Sequence, residues 1–542
     1  MTIWSDVAKL ETNQKLSEFI LHWLRIDILV VTDTIVSFGP EHDPRNLNED
    51  YFGMSHLIGV LGQVGAVTKA HRGTDPLTAP GVIENFKFHE HNLNNYDQIW
   101  LLGYDTGVLP VHEQAAIAAF MNQGGGVFAT GDHEGLGSAL AGALPRVRSM
   151  RHWQSPPPAL GLDRVDTTRP DANDVVVFEN QSDDIPQVLR LKMYEWSRRR
   201  WFREVYPHPL LCSPSGVIKE FPDHMHEGEV LVPTMLDAKM SVDGLNFEEY
   251  PKDKNGNRTS PEVVAWGWTT GRADPEVMHG IHTGDSGAST PRWTGTIGAY
   301  DGHRSGVGRV VVHSTWHHFF DINLIGDNAA NRPGFNDPRA SLWSKGFTAS
   351  ANGQRILSQI DQYFKNIVHW LSPGVGRFLQ FNALVANLAM SHHVREVLES
   401  GNGSPSLIGA YAWEYALRIY PPCTLIELIN IVIPEVIPLP WGPWGDPSPG
   451  PDPGPDDAPM PHWPIPPRQL AQAALGGALL GFSQIESLDE IHQEFGAERV
   501  RMSALEAVKT LLDGEHRRLK SGLKQLKAIR KQFEHDCQNG VE

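Results

Sequence analysis

The sequence predicts an α/β protein: a parallel β-sheet covered by helices, followed by a helical C-terminal region. Three observations predict it. Residues 96–134, YDQIWLLGYDTGVLPVHEQAAIAAFMNQGGGVFATGDHE, run strand, helix, strand, polar turn, which is the repeat of a parallel sheet with helices on its faces. IDILVV (Ile26–Val31) and GRVVVHS (Gly308–Ser314) are continuous apolar runs, the pattern of strands buried on both faces. Beyond residue 373 strand patterns cease, and helical spacing resumes on either side of a Pro-rich stretch.

In chain order, residues 1–25 read as an amphipathic helix with Leu16, Phe19, Ile20, Trp23 and Leu24 on one side. The first strand ends in Thr32-Asp33-Thr34 and a polar loop. Met54–Val64 reads as a helix, and Ala66–Lys69 or Phe86–Phe88 as edge strands. Gln98–Leu102 is a strand and Gly103–Pro110 a turn bearing Tyr104 and Asp105. Val111–Asn122 is a helix that Gly124-Gly125-Gly126 stops, and Val127–Thr130 is the next buried strand. A further helix is expected from about Leu136. Leu144–Leu160 is a basic, Pro-rich loop, and Val175–Phe178, Val230–Val232 and Val263–Trp266 are short strands in a loop-rich insertion. Gly308–Ser314 and a helix over Gly353–Leu371 close the unit, taken as residues 26–373.

Helices are then expected over Phe378–Glu399, Ser406–Tyr420 and Leu425–Ile433, making a helical region of residues 374–433. Residues 434–467 form a linker too poor in apolar residues to pack alone, and residues 468–542 a helical tail. In that tail Arg468–Phe482 is a helix of small residues. Along Ser503–Cys537, Leu505, Leu512, Leu519, Leu526 and Phe533 recur at heptad spacing, with Val508 and Ile529 on the adjoining row and Glu515 and Gly522 interrupting it. Its Lys and Arg run reads either as a solvated face or as a docking surface for the acidic body or a partner, which makes the tail a candidate for homo-oligomer or partner binding.

Composition narrows the classes. A net charge of -18 disfavours non-specific nucleic-acid binding. Cys212, Cys423 and Cys537 are scattered, without a paired motif, so no disulfide is expected. With no signal peptide and no apolar run of transmembrane length, the expectation is cytoplasmic; membrane contact is left only to the tail.

In a parallel sheet ligands bind at the carboxyl ends of the strands, so polar residues there are the candidates for chemistry. Asp132, His133 and Glu134 follow the strand after the glycines. A carboxylate beside an imidazole serves as base, nucleophile or metal ligand, and the plain alternative is that Asp132 caps the next helix. His317 and His318, with His313 and Asp321 near them, follow the last strand and could complete an acid–base pair or be buried structural histidines. Asp33 and Asp105 also follow strands. Arg146, Arg148 and Arg151, with Arg199 and Arg200, could clamp an anionic or polyhydroxyl ligand or pair with the acidic surface. His224, His226 and Glu227 crowd two imidazoles and a carboxylate into one short segment. In extended chain the two histidines point the same way, which suits one divalent ion such as zinc; a surface His-rich loop is the alternative. No Walker A loop, HExxH or credible GxSxG is present, and the triple glycine ends a helix instead of opening one, so no nucleotide cofactor is implied.

The run YDQIWLLGYDTG to GGGVFATGDHE, with the later HPLL and GVGRVVVHSTWHH, resembles the ThuA-like branch of the class I glutamine amidotransferase-like superfamily. The resemblance spans roughly residues 26–370 and implies a flavodoxin-like sheet with a functional turn after the GGG strand. It also implies carbohydrate-type substrates. Gly131-Asp132-His133 stands where amidotransferases carry cysteine, which excludes a Cys-dependent glutaminase; the closing Gly-His of the ThuA pattern would fall near His317 or His318. The family's downstream Asp-Glu-aromatic element has no clean match, and residues 223–227 are the candidate for its place. Two expectations of different class result. One is an enzyme acting on a polar small molecule by metal-assisted hydrolysis or acid–base chemistry. The other is a catalytically silent binding or assembly module.

Overall fold

The computed structural model describes residues 26–40, 51–132, 135–152, 186–199, 202–222, 228–269, 292–326, 345–400, 403–418, 420–432, 467–485 and 494–539. The expected elements at residues 1–25 and 175–178 lie outside these, as do His133, Glu134, Arg200, His224, His226 and Glu227.

The centre is a nine-stranded sheet of β1 (Ile26–Thr32), β2 (Gly65–His71), β3 (Val82–Ile83), β4 (Gln98–Leu102), β5 (Gly126–Thr130), β6 (Arg190–Leu191), β7 (Glu262–Thr269), β8 (Arg292–Tyr300) and β9 (Val310–His313). Their spatial order is β6-β7-β8-β9-β5-β4-β1-β2-β3. The stretch β9-β5-β4-β1-β2-β3 is parallel throughout, and β6, β7 and β8 add an antiparallel flank. Taking β1, β2, β4, β5 and β9 as the five consecutive parallel strands gives the flavodoxin-like order 2-1-3-4-5. The antiparallel flank comes from the long insertion between β5 and β9, whose short strands show no single hydrophobic period.

Alternation along each strand sends side chains to two cores. Ile28, Val30, Trp100, Leu102, Phe128 and Val311 face α1 (Ser55–Leu61) and α3 (Ala351–Leu371). Leu29, Val31, Ile99, Leu101, Val127 and Val312 face α2 (Val111–Asn122), through Ile117, Phe120 and Met121. Gly124, at φ 103°, turns the chain out of α2 and into β5 where an L side chain would be strained.

The third core is helical: α4 (Gly374–Met390), α5 (His392–Glu399), α6 (Pro405–Ala416), α7 (Pro422–Val432), α8 (Pro467–Ser483) and α9 (Glu494–Asn539). The single helix expected over Phe378–Glu399 is two, because Ser391 takes an extended backbone (ψ 134°) between α4 and α5. Helices from both sides of the Pro-rich stretch share this one core, with Leu384, Trp413, Ile426, Leu475 and Val500 all buried in it. The small residues of α8 permit close contact. A Cβ on Gly476 would lie 1.8 Å from the Pro405 carbonyl oxygen, and one on Gly409 1.6 Å from that of Gln472.

One sequence expectation is overturned here. Cys212 and Cys423, 211 residues apart, form a disulfide across a Cα–Cα distance of 6.4 Å, tying the α/β body to α7. Spacing along the chain could not show it, since only the packing of α7 against the segment after Pro209 brings the two together. Near it Arg309 is fully enclosed. It donates to Asp301 (2.8 Å), Glu427 of α7 (2.6 Å) and the Trp370 carbonyl (3.0 Å), and lies over the Trp370 ring. Among the described residues no helix is long and apolar enough to cross a membrane.

Candidate functional site

The order of the parallel strands reverses between β1 and β4, and a crevice outside their carboxyl ends is where such sheets bind ligands. Asp33 follows β1 here. Its Oδ1 accepts the backbone N–H groups of Tyr104 (2.5 Å) and Asp105 (3.2 Å), so one carboxylate shapes the turn after β4. Gly103 permits this approach, because a Cβ there would stand 2.9 Å from Asp33 Oδ2 and 2.8 Å from Leu140. Burial raises the Asp33 carboxyl from 3.8 to about 6, against the lowering effect of the Tyr104 amide; the nearby Asp105 charge raises it further. Asp105 itself is exposed. Its carbonyl accepts from Gly137 and Ala139, joining the loops after β4 and β5.

Asp132 follows β5. The helix beyond it is one turn, Ser138–Ala141, capped by Gly137 without a side-chain bond. The Asp132 carboxylate faces His317 instead, with Oδ2 3.7 Å from Nε2 and both side chains almost fully buried. The His317 tautomer follows from its partners. Trp316 Nε1–H can only donate, and it lies 3.2 Å from His317 Nε2, while Nδ1 lies 3.0 Å from Asn323 Oδ1. Neutral His317 therefore carries its proton on Nδ1 and accepts the Trp316 indole N–H at Nε2, with the Asp132 carboxylate beside that nitrogen. The loop bearing it is fixed from three sides. Thr130 Oγ1 donates to the Thr315 carbonyl (2.8 Å), Thr315 Oγ1 accepts from the His317 amide (3.1 Å), and Arg151 donates to the carbonyls of His313 (3.0 Å) and Ser314 (2.5 Å).

His318 points elsewhere. Its Nε2 donates to the Pro222 carbonyl (3.0 Å), its Nδ1 accepts from His313 Nε2 (3.2 Å), and His313 Nδ1 accepts from the Thr315 amide (3.4 Å). Burial holds His313 down at about 3, so that ring stays neutral. His318 is thus engaged by His313 and the Pro222 carbonyl, and His317 is the imidazole that meets Asp132. Asp321 is structural too, accepting the amides of Ser55 (3.0 Å) and His56 (2.9 Å) at the start of α1.

Of the arginines expected to clamp a ligand, Arg146, Arg148 and Arg151 are bonded within the body. Buried Glu249 accepts the Arg146 amide (2.8 Å) and the Arg148 guanidinium (2.8 Å), and Arg146 also donates to Asn122 (2.6 Å). Asn122 ends α2, so this cluster sits at the amino ends of the strands, away from the crevice. Arg151 is at the carboxyl edge, but it positions the loop after β9.

No known family, curated protein or solved structure matches this chain.

Sequence reasoning overlooked an aromatic wall. Tyr104 stacks on Trp316 (5.5 Å, 10°), Phe52 packs on the same indole (5.7 Å), and Phe52 stacks on Phe320 (5.2 Å, 12°). Its only sequence signal was Tyr104 beside Asp105 and Trp316 beside His317. Among the described residues two groups have the composition of a metal site, His89/His112/Glu113 and His392/His393/Glu396. Glu113 is already engaged by Arg72 at both oxygens and by the Phe88 amide (2.9 Å), and the second group is wholly exposed. Neither is a built cation site.

Proposed function

We propose that the crevice is an acid–base site for hydrolysis of a polar, uncharged small molecule. The observation that carries this reading is the enclosed Asp132–His317 pair at the carboxyl edge of the sheet. His317 Nε2 would exchange its bond from the Trp316 N–H for one from a water or substrate hydroxyl and take that proton. Asp132 would stabilise the imidazolium formed, while Asn323 fixes the ring through Nδ1. An uncharged substrate is favoured because Asp33, Asp105 and Asp132 line this edge and Arg146, Arg148 and Arg151 are bonded elsewhere. Half-buried Tyr104 and Phe52, packed on the enclosed Trp316, would supply an apolar face for such a ligand. The resemblance to ThuA-like proteins supports the same placement and a carbohydrate derivative as the substrate class. A divalent ion held by His224, His226 and Glu227 is the metal-assisted form of the proposal and rests on the sequence alone.

The test is a panel of neutral esters, lactones, amides and glycosides, assayed with wild type, Asp132→Asn and His317→Gln. Both variants should keep their circular dichroism and lose turnover of whatever substrate wild type accepts. Turnover retained by both would sink the assignment. A second reading, an assembly module without turnover, is favoured by the exposed leucines of α9.

A further inference from the structure

Between its ends α9 changes character. Val500, Ala504 and Val508 are buried in the helical core, and Leu505 and Leu511 pack against it. From Leu512 onward the same helix leaves the core. Leu512, Leu519, Leu523, Leu526 and Ile529 are exposed, Leu526 by 67%. Large apolar side chains aligned on one exposed helix face mark an interaction surface. Leu505, Leu512, Leu519 and Leu526 are spaced by seven, which a straight helix lying on a lipid surface has no need to keep but a helix winding around another helix does. The row is also continuous with one that already packs helix on helix inside the chain.

We propose that this row pairs with the same row of a second copy of the chain, antiparallel, with Leu519 at the two-fold axis. Charge selects the direction. Residues 520–531 carry Lys520, Lys524, Lys527, Arg530 and Lys531 and no carboxylate. Residues 506–518 are balanced, with Glu506, Asp513 and Glu515 against Lys509, Arg517 and Arg518. A parallel pair would set the two basic runs side by side, where like charges repel. The antiparallel pair sets Leu512 against Leu526 and lays each basic run beside the charge-balanced segment of the partner helix. The contact is isologous, so it closes as a dimer.

Sedimentation of the full chain at micromolar concentration, with a spin label on Cys537, tests both parts; the other two cysteines are held in their disulfide. The expected result is a dimer with labels about 54 Å apart, since ~18 residues of helix separate Cys537 from the axis on each side at about 1.5 Å per residue. Leu519→Asp/Leu526→Asp should weaken association by about a hundredfold or more. A monomer at all concentrations overturns the proposal. So does a label distance near 10–15 Å, as a parallel pair requires, or a dimer indifferent to the leucine variant. A monomer that co-sediments with phosphatidylserine vesicles overturns it in favour of a lipid surface.

Discussion

Replacing Asp33 by Asn isolates the cost of keeping a carboxylate in the crevice. Asparagine retains an oxygen to accept the Tyr104 and Asp105 amides but cannot ionise. Burial holds the Asp33 carboxyl at about 6 instead of 3.8, which corresponds to about 3 kcal/mol against the charged form. The folded state binds this proton more tightly than the unfolded chain. The stability it contributes is therefore complete below pH 3.8 and is lost as pH rises through about 6. Urea unfolding of wild type and Asp33→Asn from pH 3.5 to 8, followed by tryptophan fluorescence, reads the difference directly. Near pH 3.5 the two should differ only by a constant. Above pH 6 the asparagine protein should gain on wild type by up to about 3 kcal/mol. Asp105→Asn, which removes the neighbouring charge that helps raise Asp33, should shrink the pH-dependent part. A difference that is flat across the range, or that grows toward acid, would refute the account of Asp33.

Glu427→Ala should cost about 3 kcal/mol by depriving enclosed Arg309 of one of its two carboxylates, measured as a lower urea midpoint. Removing the Cys212–Cys423 bridge as Cys212→Ser/Cys423→Ser should cost up to about 5 kcal/mol, given the long loop it closes; the same denaturation with and without reductant checks it. Gly476→Val should open the contact between α8 and α6, costing about 3–5 kcal/mol because the clash is with the Pro405 backbone and no rotamer relieves it. Loss of helical signal at lower temperature than wild type is the readout. If a metal serves the site, elemental mass spectrometry should find near-stoichiometric ion in wild type and none in His226→Ala.

The parallel sheet was legible because burial on both faces writes itself as continuous apolar runs, as in IDILVV and VVVH. Asp132 and His317 were legible because strand ends are easy to find and polar residues there stand out. What separates His317 from His318 was not legible. Both lie in the turn after β9, where no strand period fixes direction, and only the fold shows that one meets Asp132 and the other the Pro222 carbonyl. The arginines misled for a related reason. Arg146, Arg148 and Arg151 lie close in sequence, but the turns after Ala141 send two of them to Glu249 and one to the opposite end of the sheet. The disulfide and the Arg309 cluster join segments more than 100 residues apart, and no local pattern encodes such a meeting.

The helical core is assembled from helices that precede and follow residues 433–466. Leu384 and Trp413 come from before that stretch and Leu475 and Val500 from after it. Integrity of the core therefore does not depend on an unbroken main chain between them. A protein cut once in the Pro-rich stretch should run as two bands in denaturing gel and as one species in native gel. Residues 1–440 and 460–542, expressed as separate polypeptides, should likewise find each other and fold together, which makes the position a natural place to divide this protein into complementing halves.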